Sequence, residues 1–179
     1  MRLTALLGLL LLFSVAAFSQ EKQDTTEKTL VFSTSVVNAL VSNPIKPIRV
    51  IYKRVDTVKL SLLLYRPAGF HPSRRYPTII FFFGGGWTKG SMMQFQQHAK
   101  YFAARGMIAV LADYRVASRN KTTPFEAVQD ARSAIRFLRA HADKYGIDEK
   151  RIAASGGSAG GHLAAATDLT RLDDPRDDR

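Results

Sequence analysis

Ser158 lies within Gly156-Gly157-Ser158-Ala159-Gly160-Gly161, a spacing that sets a serine hydroxyl on a sharp turn between a strand and a helix. Arg151-Ile152-Ala153-Ala154-Ser155 before it predicts a short buried strand, and Leu163-Ala164-Ala165-Ala166 after it predicts a helix. A serine on such a turn is held in a strained backbone conformation, with its hydroxyl presented for attack on an electrophilic carbon. The glycines have a steric reason, since side chains there would strike the incoming strand or the outgoing helix. The plainer account is a glycine-rich loop that happens to carry a serine, and G-x-S-x-G alone does not separate the two.

A second motif lies upstream. Phe81-Phe82-Phe83-Gly84-Gly85-Gly86-Trp87 follows the apolar run Thr78-Ile79-Ile80. Three glycines at the end of a buried strand leave backbone N–H groups bare, and such groups bind a developing oxyanion. A tight strand exit with no ligand would use the same residues. The two motifs in this order favour the chemical reading over the structural one.

Together they carry a family resemblance. From about Val50 to Leu169 the chain resembles the α/β-hydrolases of the esterase/lipase type and is similar to their secreted carbohydrate-esterase and feruloyl-esterase-like branch. The residues concerned are Phe83-Gly84-Gly85-Gly86-Trp87, Asp113-Tyr114-Arg115, Asp130 with Ala131-Arg132-Ser133-Ala134-Ile135-Arg136, and Gly156 to Gly161. Phe83 stands where the family often has His, a residue that organises the loop rather than doing chemistry. The resemblance implies that Ser158 is the nucleophile and that the backbone N–H groups of Gly85, Gly86 and Ala159 form the oxyanion hole. It implies no metal and no cofactor. Trp87 would wall the acyl pocket or pack under the loop, and Asp113-Tyr114-Arg115 and Asp130 would be structural. The expected fold class is α/β: the N-terminal portion of an α/β-hydrolase fold, with an antiparallel hairpin, then parallel strands with crossover helices, ending just after the serine turn.

The elements that must position these residues follow from pattern. Arg49–Val55 and Thr57–Tyr65 are expected as two strands joined near Asp56, with Val58, Leu60, Leu62 and Leu64 on one face. Pro67–Pro77 is loop. Pro77–Phe83 and Met107–Ala112 are apolar throughout, as strands covered on both faces are. A helix over Phe95–Arg105 stops at Gly106 and links them into a parallel pair. Pro124–Tyr145 predicts a long helix with Ala127, Ala131, Ala134, Ile135, Leu138 and Ala142 buried, and with Arg132, Arg136 and Arg139 on its wet face.

A serine hydroxyl is a weak nucleophile and needs a general base, which in this fold follows the serine and an acid in chain order. His71, His98 and His141 precede Ser158. His162 follows it, but in the first turn of the next helix, where packing beside Gly161 accounts for it better than proton transfer. Asp168 sits in or after that helix, and Asp173, Asp174, Asp177 and Asp178 crowd a polar tail. Only 21 residues follow Ser158 (179 − 158). The expectation is therefore a hydrolase domain over 48–179 that is incomplete, with the triad acid and His beyond residue 179.

Composition narrows the classes. Residues 1–19, with Met1-Arg2, an apolar Leu3–Phe13 and Ala17-Phe18-Ser19, are expected as a signal peptide that exports the chain to the periplasm or medium, and 20–47 as a polar linker. The apolar stretch is short for a membrane span. Without cysteine there is no disulfide or thiolate chemistry. The net charge of +11 is concentrated between Lys46 and Arg75, which hold eight basic residues and one acid, Asp56. A solvated basic hairpin explains this better than a polyanion site, and nucleic acid is not an expected partner. The leading expectation is an exported serine-dependent carboxylic ester hydrolase, acting on small-molecule or carbohydrate-linked esters with short acyl or phenolic acid groups. A prolyl-oligopeptidase-like peptidase and an inactive remnant with a polyanion-binding surface are the alternatives. Oligomeric state is left open.

Overall fold

The computed structural model describes residues 46–169. The expected signal peptide, nearly all of the linker and the polar tail lie outside the described residues. Five strands form one mixed sheet in the order β1-β2-β4-β3-β5. They are β1 (Ile48–Val55), β2 (Val58–Tyr65), β3 (Tyr76–Phe82), β4 (Ile108–Ala112) and β5 (Ile147–Gly156). The first two make the expected antiparallel hairpin, and β2 also runs antiparallel to β4. Strand β3 lies parallel to β4 on one side and to β5 on the other.

Alternation along β3 explains why the sheet is covered twice. Ile79 and Phe81 pack with Leu63, Tyr65, Ala109 and Leu111 against Ala99 and Ala103 of α1 (Gln96–Ala103). Ile80 and Phe82 point the other way and join Leu62, Leu64, Val110 and Ala112 against two more helices. These are α3 (Pro124–Ala140), with Ala127, Ala131, Ala134 and Leu138, and α5 (Ala159–Leu169), with Leu163 and Ala166. A short α2 (Ala117–Asn120) precedes α3, and a one-turn α4 (Ala142–Tyr145) follows it. Among the described residues no helix is long and apolar enough to cross a membrane.

Three expectations need correction. The 124–145 helix is two pieces, broken at His141, whose φ of −112° leaves the helical range before Gly146 ends α4 in a left-handed turn. Of the arginines expected on its wet face only Arg139 is exposed; Arg132 and Arg136 are half-buried, and Arg132 donates to the Thr167 carbonyl of α5 at 3.1 Å. The 151–155 strand is not buried. Arg151 and Ala153 are exposed and Ile152, Ala154 and Ser155 half-buried, because among the described residues β5 has one neighbour only, β3.

Candidate active site

Strands β3 and β5 end side by side, with Phe82 opposite Gly156 in register. The sheet order reverses at β3, since the chain goes first to β4 and then crosses back to β5. Crevices at such reversals, outside the carboxyl ends of the strands, are where open α/β sheets bind ligands. The two loops that leave here are the two glycine motifs.

Ser158 occupies the turn between β5 and α5 with φ +53°, a left-handed conformation costly for any side chain. It is exposed. Among the described residues no group hydrogen-bonds its hydroxyl; its carbonyl accepts from the His162 N–H at 3.1 Å, starting α5. The glycines of the motif are there for space. A methyl on Gly156 would come within 2.5 Å of the Phe82 and Gly160 carbonyl oxygens, and one on Gly160 would run into the backbone oxygens of Phe82 and Phe83. The intervening Gly157 and Gly161 are less constrained, with nearest contacts of 3.2 and 3.3 Å.

The upstream loop presses on this turn. Gly84 is buried, and a methyl there would sit 2.7 Å from the Gly157 oxygen and 3.4 Å from Ser158 Cβ. Its N–H donates to Gln94 Oε1 at 2.6 Å and is thereby occupied. The N–H groups of Gly85, Gly86 and Ala159 donate to no described group, and Gly85 and Gly86 are exposed. The loop is held from behind. Thr88 and Lys89 N–H donate to the Gly85 carbonyl, while Ala117 and Ser118 of α2 donate to the carbonyls of Trp87 and Thr88, both at 2.9 Å.

Phe83, at the position where the resemblance implies a histidine, is held by stacking. Its ring is fully buried and stacks on the Tyr114 ring, nearly parallel to it with centroids 4.0 Å apart. The Tyr114 hydroxyl donates to the Phe83 carbonyl at 2.6 Å. Burial pushes the Tyr114 pKa well above the usual phenol range, with Arg119 opposing and Asp113 adding to the rise, so this donor keeps its proton. Asp113 itself pairs with Arg119 at 2.7 Å, which raises the arginine pKa further.

The remaining candidates lie elsewhere or act as braces. His71 and His98 are exposed, and His141 stacks on Phe137 at 4.1 Å. The exposed imidazole of His162 meets the Trp87 indole edge to face, at 5.3 Å and 89°. Trp87 is half-buried, with its Nε1 covered and unpaired. Asp130 is wholly buried and accepts from Arg115 Nε and Nη2 at 2.8 and 2.7 Å and from the Arg115 N–H at 3.0 Å. Lys53 completes the cluster, with Nζ 3.0 Å from Asp130. Sequence reasoning counted Lys53 in the surface patch; a β-bulge between Ile51 and Lys53 buries it beside Tyr52. Among the described residues no group of three or more His, Asp or Glu side chains converges as metal ligands would.

A glycine loop and a serine turn on adjacent ends of a mixed, doubly covered sheet define an α/β-hydrolase. The BD-FAE profile matches residues 62–178, and the chain belongs to that family. It is similar to Esterase LipC of Mycobacterium tuberculosis, 39% identical over 103 residues that make up 57% of this chain and 25% of that protein. An arylesterase of Saccharolobus solfataricus is 31% identical over 77% of this chain and 44% of its own. Apo esterase 2 of Thermogutta terrifontis superposes with a TM-score of 0.72 at 50% identity, covering 75% of this chain and 50% of that one. That esterase has also been solved with butyrate bound and phosphorylated by paraoxon. The chain thus spans a quarter to a half of the length of these relatives.

Proposed function

We propose that the protein is an exported serine-dependent carboxylic ester hydrolase that works by acyl transfer through Ser158. The observation that carries this is Ser158 itself, exposed at φ +53° with the glycine loop packed against its turn. In this reading Ser158 Oγ attacks the ester carbonyl carbon and the alcohol leaves. The charge on the carbonyl oxygen is received by the N–H groups of Gly85, Gly86 and Ala159, which no described group occupies. Water then releases the acid from the acyl-serine. A general base takes the serine proton in this step; none of the described histidines hydrogen-bonds the Ser158 hydroxyl. Gln94 holds Gly84 and so sets the loop without taking part.

Short acyl groups are the proposed substrates, including those carried on sugars and esters of phenolic acids. A butyrate-bound relative at 52% identity supports the short acyl part. Export rests on residues 1–19, and the mature chain would begin at Gln20. Hydrolysis of p-nitrophenyl acetate tests the chemistry. Replacing Ser158 with Ala is expected to remove turnover, by roughly a millionfold where the serine acts with a full triad. Equal turnover in both proteins would end this reading.

A further inference from the structure

We infer that His162 is a positioning residue that ties the oxyanion loop to the serine turn through Trp87, an inference that rests on the reading above. Four described residues other than glycine have positive φ: Asp56, Trp87, Lys121 and Ser158. Asp56 lies in the β1–β2 turn and Lys121 ends α2, where such conformations are ordinary. Trp87 at +58° and Ser158 at +53° have no such excuse, one being bulky and the other holding the proposed nucleophile. Strain of this kind persists only where surrounding contacts over-determine it.

His162 touches both strained residues. Its N–H donates to the Ser158 carbonyl at 3.1 Å, and its imidazole meets the Trp87 indole edge to face. Among the described residues its ring takes part in no hydrogen bond. The backbone of Trp87 is pinned separately by the Ala117 N–H. The indole packs against the main core on one side, and from α5 the His162 ring meets it edge to face. Trp87 follows Gly85 and Gly86 directly, so a rotation at Trp87 moves the two N–H groups that would receive the oxyanion. Their distance from Ser158 must hold to within about 0.5 Å for the transition state to be stabilised. His162 joins the two halves of that distance through one helical turn.

Two readouts on the full chain test this. Trp87 is the sole tryptophan, so its fluorescence and its quenching by acrylamide report its exposure alone. Paraoxon reports Ser158: the serine oxygen bonds to phosphorus, p-nitrophenolate leaves with the bonding pair, and the serine proton passes to base or water. His162→Ala is expected to raise the quenching of Trp87 and to slow p-nitrophenolate release roughly ten- to a hundredfold. His162→Phe restores an aromatic edge that cannot carry a proton, and is expected to recover most of both. Unchanged quenching in His162→Ala overturns the inference, as does an unchanged labelling rate. So does a Phe variant as slow as the Ala variant, the result expected if His162 were the base. If the wild-type protein assayed together with its general base and orienting acid releases no p-nitrophenolate, the esterase reading falls, and the fluorescence of the two variants still decides whether His162 holds Trp87.

Discussion

The corner around Ser158 and the cluster around Asp130 are both made of polar groups in one small domain, and they are built to opposite rules. At the corner the serine hydroxyl and the Gly85, Gly86 and Ala159 N–H groups have no partner among the described residues, and two side chains sit on strained backbone. In the cluster Asp130 is wholly buried and both of its oxygens are met, by Arg115 and Lys53 together. Strand β1, α3 and the segment after β4 converge there. Groups that brace a fold are satisfied by the fold, while groups that act on something else are left for it.

The largest test of that contrast is Asp130→Ala. It would leave two buried cations facing each other without their carboxylate, at an expected loss of about 3–5 kcal/mol in urea unfolding. A loss below about 1 kcal/mol, the size of a surface pair, would show that water reaches the cluster and would dissolve the comparison. Gly160→Ala probes the corner by space rather than charge. The added methyl meets the Phe82 carbonyl, so α5 must shift, at about 1–3 kcal/mol, and Ser158 should lose its reactivity toward paraoxon with it. Gly161→Ala, with 3.3 Å to its nearest neighbour, should keep both.

Ser158 itself sharpens the point. Ser158→Gly and Ser158→Ala both remove the hydroxyl, but only glycine relaxes the left-handed backbone. The Gly variant should be more stable than the Ala variant by about 1 kcal/mol in thermal unfolding. Equal stabilities would mean that the turn stores no strain, and the corner would then differ from the cluster in its partners only.

The sequence shows the corner more plainly than the cluster. Glycine spacing and apolar runs mark where strands end and turn, because steric demands are local and leave local residues. That is why Gly84 to Trp87, Gly156 to Gly161 and the hairpin stood out. The cluster depends on a bulge that buries Lys53 next to Tyr52, and nothing in Ile51-Tyr52-Lys53-Arg54 announces it. Lys53 therefore counted as one of eight surface cations when it is an internal one. The exposure of β5 is hidden for a related reason: Ile152, Ala153 and Ala154 have the composition of a covered strand, and only the strand order shows that, among the described residues, β3 alone flanks it. The Trp87–His162 contact spans 75 positions (162 − 87), and chain order places His162 only near its own helix.

The smallest expected effect lies where the contrast is weakest, at the start of α3. Thr123 and Glu126 form a capping box, the Glu126 carboxylate accepting from the Thr123 N–H at 2.8 Å and from its hydroxyl at 2.5 Å. Glu126 is half-buried and Thr123 exposed, and the pair is neither strained nor free. The Thr123 hydroxyl holds the Glu126 pKa below its ordinary value, with the Thr123 N–H and Arg115 adding to this and partial burial opposing it. A carboxyl depressed in the folded state contributes its stability in full above the unfolded pKa, near 4.3, and loses it as pH falls through the folded one. Glu126→Gln keeps an acceptor and removes the charge. It should therefore cost a few tenths to about 1 kcal/mol at neutral pH, with the two proteins converging at about pH 3 and below. A difference that persists undiminished into acid would place the cap's contribution in hydrogen-bond geometry rather than charge, and would move this helix start toward the fully satisfied type that Asp130 represents.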